Sequence, residues 1–138
     1  MHAALRAAAA YAAVVFAAGF VLGTLRVLVV APRLGELGAV ALEVPAMLAV
    51  SWLACARIER RFGVPRRVGA RLAMGVAGFV LLQAAEVLLG VVAFGRGPAE
   101  QLDSLAQAPG AVGLIAQLGF AAIPVVRLAR PSPPAARP

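Results

Sequence analysis

The chain has 138 residues, 62% of them hydrophobic and only 14% charged, and its mean hydropathy is +0.92. A water-soluble domain of this length has no core large enough to hide so much apolar side chain, so hydrocarbon is the expected solvent for much of it. The net charge is +7 and every one of the 13 basic residues is an arginine. That bias fits a GC-rich bacterial genome. The arginines lie at the ends of apolar runs, where membrane orientation accounts for them, and no aromatic-basic surface remains to bind nucleic acid.

Residues 1–6 form a short basic start, followed by 19 uncharged residues at 7–25. This run is longer than a secretory signal core, and no polar domain follows it, so it reads as an uncleaved first span over 7–30. Residues 31–37, APRLGEL, carry Pro32 and Gly35 and predict a tight connection. A second span follows at 38–56, interrupted by Glu43 and Pro45. Residues 57–71 hold six arginines and one glutamate and predict the main hydrophilic loop.

The third span covers 72–94, broken by Gln83 and Glu86. Residues 95–107 are polar, and Pro98 opens a short interfacial helix with Leu102, Leu105 and Ala106 on one side. The fourth span is 108–126, and the Pro- and Arg-rich residues 131–138 read as a disordered tail. The fold expected is therefore all-α, a single four-helix transmembrane bundle.

The loop charges give its orientation. The 57–71 segment is net +5 and belongs in the cytoplasm; 95–107, with Arg96, Glu100 and Asp103, is net −1 and belongs outside. Both termini are then cytoplasmic, and the location expected is the bacterial inner membrane. Partners read from this are the lipid bilayer, a homodimer or larger membrane complex, and anionic lipid at Arg57, Arg60, Arg61, Arg66, Arg67 and Arg71.

Charges inside apolar runs are costly and mark sites by default. Counting residues puts Arg26 about 6 Å and Glu43 about 7 Å below the outer ends of their spans, with Glu86 and Gln117 about 12–14 Å down. Arg26, Glu43, Gln83, Glu86 and Gln117 are thus expected to form one intramembrane polar cluster. Arg26–Glu43 reads either as an ion pair that docks the first hairpin or as a ligand or proton site. Glu86, with no basic residue at its depth, reads as a proton carrier or as a protonated structural carboxyl bonded to Gln83 or Gln117.

Helical spacing adds seams: Gly19, Gly23 and Arg26 share one face, Gln83, Glu86 and Gly90 another, and Gly113, Gln117 and Pro124 a third. Gly19 and Gly23 form a GxxxG match, compatible with internal packing or with dimerisation. Pro45 frees the carbonyl of Ala41 beside Glu43; this is either a tolerated kink or a cation-binding carbonyl. Pro124 carries the same two readings.

Several chemistries lack their residues. The single cysteine, Cys55, reads as a small buried hydrophobe and excludes an internal disulfide. The only histidine, His2, is at the terminus, and no metal-ligand spacing occurs, so no metal or cofactor is expected. Ser51 and Ser104 have no histidine base nearby in sequence. Tyr11 and Trp52 read as interfacial anchors near the cytoplasmic ends of their spans.

The stretch LGTLRVLVVAPRLGELGAVALEVPAMLAVSW resembles that of small four-span bacterial integral membrane proteins with a GT-R…P-R-G-E…E-x-P pattern. The resemblance covers spans one and two and implies no particular activity. Small multidrug transporters also combine four spans with a membrane glutamate. This chain lacks their aromatic surroundings and has a second intramembrane carboxyl. The reading is a non-enzymatic bundle or accessory subunit, with a small proton- or cation-coupled transporter using Glu86 or Glu43 as the alternative.

Overall fold

A computed structural model describes residues 1–130. Helix α1 (His2–Leu25) runs into a π-helical turn (Arg26–Val30) and then into α2 (Ala31–Arg61). Three more helices follow: α3 (Val68–Phe94), the short α4 (Pro98–Ala106) and α5 (Ala108–Val126), which closes in a 3-10 turn (Arg127–Ala129). Among the described residues there is no strand.

The connection expected over 31–37 contracts to one residue. Helical backbone continues through Pro32, and the chain reverses at Gly35, whose φ of 73° and ψ of 166° lie outside the helical region. Glycine takes positive φ without the Cβ penalty. The π turn lies just ahead of Pro32, whose ring removes a helical donor there. Pro45 makes no comparable break: the backbone of α2 leaves the helical region at Gly35 and not at Pro45, whose side chain is exposed.

The hydrophilic loop is also shorter than expected. α2 extends to Arg61 and α3 begins at Val68, which leaves 62–67 as the loop. The predicted short helix is present from Pro98 to Ala106, with Gly97 at its N-cap, and the end of α3 is set by Gly95. Gly95 is left-handed; its N–H donates to the Val91 carbonyl, closing α3 in an αL cap, and the N–H of Arg96 donates to the carbonyl of Gly90. The tail predicted over 131–138 lies outside the described residues.

The four long helices form a ring in which α1 packs on α2 and α3, and α5 packs on the same two. α2 and α3, joined by the 62–67 loop, therefore face each other across it. One half of the ring is tightly closed. Ala4, Ala7, Ala8 and Ala12 make a small-residue face on α1 that lets its neighbours approach, and Tyr11 and Met74 beside them are 0% exposed. A Cβ at Gly75 would overlap the backbone carbonyl of Ala121, so only glycine permits this approach of α3 to α5.

The outside of the bundle is apolar. Val92 is 75% exposed, Leu28 70% and Ile115 68%, and large apolar side chains cover the outer faces of every long helix. The stretches His2–Arg61, Val68–Phe94 and Ala108–Ala129 are long and apolar enough to cross a membrane, the first of them doubled back at Gly35.

Candidate functional site

At the Gly35 end the ring opens into a cleft of about 650 Å³. Its walls come from every helix: Gly19, Gly23 and Arg26 on the first arm, Glu36, Glu43 and Met47 on α2, Leu82 and Glu86 on α3, and Gly113 and Gln117 on α5. Ser104 and Leu105 of α4 form part of the rim. α4 is held there by Gln101, whose amide lies against Gly90 and donates to the carbonyl of Arg96 at 3.3 Å.

Arg26 sits in the π turn, between two carboxylates. Its Nε lies 2.8 Å from Oε2 of Glu43, and its Nη1 donates to Oε2 of Glu36 at 2.8 Å. The first contact is the hairpin pair that the sequence predicts. The second was hidden in the presumed loop; because the chain turns within one residue, Glu36 returns directly beside Arg26. Gly23 gives the carboxylate of Glu43 its place, with 4.0 Å between Oε1 and the point a Cβ would occupy. Gly19 does the same for Met47, so the GxxxG pair serves packing inside the chain.

Glu86 and Gln117 meet across α3 and α5. Nε2 of Gln117 lies 2.7 Å from each carboxylate oxygen of Glu86. Gln83 does not join them. The cleft-facing stripe of α3 is Leu82, Glu86 and Leu89, and Gln83 turns aside with its Oε1 buried and without a hydrogen-bond partner. Four of the five expected cluster residues thus line one cavity, in two groups, and Gln83 is removed from it. Gly90 is likewise drawn off the expected seam, under Gln101, and Pro124 is buried in the closed half.

A second polar group, outside the expected cluster, sits at the opposite end. Glu59 is 7% exposed and lies between two arginines: Arg71 of α3 contacts its Oε1, and Nε of Arg127 is 3.1 Å from its Oε2. The thiol of Cys55 donates to Oε1 at 3.1 Å, so this cysteine is buried, as expected, but not merely apolar. Arg71 also donates to the carbonyls of Val64 and Pro65, tying down the loop. One carboxylate therefore joins α2, α3 and the end of α5. A signal existed for Glu59: it continues the buried stripe of Ser51, Cys55 and Ile58 at helical spacing. Nothing in the sequence separates Arg71 from its five arginine neighbours.

The expectations for Tyr11 and for the basic loop change, and Trp52 gains partners. Tyr11 is no interfacial anchor: it stacks on Phe120 with ring centroids 4.2 Å apart and donates to the Phe120 carbonyl at 3.1 Å. Trp52 is half-buried beneath two guanidinium groups, those of Arg127 at 5.0 Å and Arg130 at 4.6 Å. Arg71 is buried against Glu59, and Arg66 donates to the carbonyls of Leu128 and Arg130, so Arg71 is withdrawn from the basic surface and Arg66 is engaged within the chain. Arg57, Arg60, Arg61 and Arg67 remain exposed.

The cleft can orient charge and hold an apolar body. Its serines, Ser51 and Ser104, have no histidine beside them among the described residues of the lining. No group of three His, Cys, Asp or Glu side chains comes together to hold a metal ion among the described residues. Compared with protein-family models, with curated proteins and with solved structures, the chain matches none.

Proposed function

We propose that the protein is a multi-pass, non-enzymatic membrane protein of the bacterial inner membrane, and that its cleft receives a ligand from the outer leaflet or from outside. The 62–67 loop, the start of α1 and the end of α5 lie in the cytoplasm in this reading, supported by the loop charges. Exposed Arg57, Arg60, Arg61 and Arg67 face anionic lipid headgroups there, each contributing about 1 kcal/mol. The chain acts alone, as a homodimer, or as the accessory subunit of a larger complex.

One observation carries the reading: the cleft is one-sided. It ends against Tyr11, Met74 and Phe120, which are closely packed, and beyond them lies the Glu59 group. A cavity that ends in a packed core binds; it does not conduct. Single cysteines placed in a Cys55→Ser background test this with a membrane-impermeant maleimide. Gly113→Cys reacts from the outside, Arg67→Cys only from the cytoplasmic side, and Ala8→Cys from neither. Labelling of Gly113→Cys only from the cytoplasm would invert the topology, and protection from both sides would remove the open cleft.

A small transporter is the second reading, favoured by Glu86, whose bonded partner is a neutral amide. It requires the closed half to open. A solute flux in proteoliposomes that disappears in Glu86→Gln, with the protein still folded, would establish it.

A further inference from the structure

The side chains of the cleft leave its charge unbalanced. Three carboxylates, Glu36, Glu43 and Glu86, share it with two guanidinium groups. Arg26 is already engaged by two of those carboxylates. Arg96, at the rim, is exposed and stands 5.5 Å from the ring of Phe94. That leaves Glu86, which Gln117 orients through both oxygens without neutralising. Glu86 is exposed to the cleft, and a carboxylate facing a largely apolar cavity at membrane depth is costly unless a cation or a proton balances it.

The remaining walls fit an apolar body. Phe16, Phe20 and Phe120 line the cavity with Leu82 and Leu114, and aromatic faces attract cations as well as hydrocarbon. The volume of about 650 Å³ falls among small-molecule sites. Gly113 adds an unfilled niche, since a Cβ there would meet nothing within 4 Å.

We infer that the cleft binds a lipophilic monocation, an ammonium or other onium centre held against Glu86 with its apolar body among the three phenylalanines. This rests on the cleft being the ligand-binding half, and it adds the charge class of the ligand. An anion meets three carboxylates, the guanidinium of Arg26 that is already paired, and Arg96 only at the exposed rim. A neutral hydrocarbon leaves Glu86 without a counter-charge.

The test uses the full chain purified in a neutral detergent, with tetraphenylphosphonium as the probe and tetraphenylborate as its anionic counterpart of the same shape. The phosphonium binds saturably and the borate does not. Glu86→Gln weakens phosphonium binding tenfold or more, Glu86→Asp restores part of it, and Glu100→Gln, on exposed α4, leaves it unchanged. Gly113→Leu fills the niche and weakens binding with the carboxylate intact. Equal binding of both probes, or undiminished binding in Glu86→Gln, overturns the inference. Should Glu86→Gln fail to fold, the contrast between the two probes and the Gly113→Leu result decide it. If Gly113→Cys is labelled from outside yet no phosphonium binds, the cleft stands and the cation is wrong; an unlabelled Gly113→Cys removes the cleft itself.

Discussion

The two ends of the bundle use ionic groups in opposite ways. At the loop end, Glu59 is enclosed by Arg71, Arg127 and Cys55, with its oxygens occupied and its neighbours packed. At the Gly35 end, Arg26, Glu36, Glu43 and Glu86 stand around a cavity, and among the described residues the carboxylate of Glu86 is bonded to an amide. The same chemistry holds helices together in one place and leaves a site in the other. The side chains between the helices separate them. Tyr11, Met74 and Phe120 fill the first end against alanine and glycine, whereas Gly19, Gly23 and Gly113 line the second and leave it open.

Substitutions in the two ends should differ in kind. The largest loss is expected for Glu59→Ala, which strands two guanidinium groups; about 3–5 kcal/mol follows from removing one partner of a buried pair, read as a drop in thermal stability in detergent. Gly75→Ala drives a methyl into the Ala121 carbonyl and costs about 1–3 kcal/mol in the same assay. Tyr11→Phe keeps the ring stack and loses the bond to Phe120, a loss of about 1 kcal/mol.

The open end should tolerate more. Glu43→Gln leaves Arg26 paired with Glu36, so its cost stays below about 1 kcal/mol. Gly113→Leu enters empty space and changes stability by less than about 0.5 kcal/mol, though it alters ligand binding. Equal destabilisation by Glu43→Gln and Glu59→Ala, measured by the midpoint of unfolding, would erase the distinction between the ends.

Much of this architecture is legible before any coordinates. Four apolar runs with breakers between them predict four long helices, and Pro98 correctly marks the short one. Arg26 with Glu43, and Glu86 with Gln117, follow from residue counting, because helical rise converts sequence distance into depth. Gln83 is misassigned since a spacing of three residues leaves about 60° of rotation, enough to turn it off the cleft stripe.

The amino-acid sequence alone determined that the chain is helical, apolar on the outside and charged in a few interior places, because composition and period are local properties. Only the tertiary structure decided which charges meet. Pairing Glu59 with Arg71 and Arg127 depends on α2, α3 and the end of α5 converging, over separations that no periodicity encodes. Closing one end while leaving the other open was decided in the same way, by how the walls of four helices fit together.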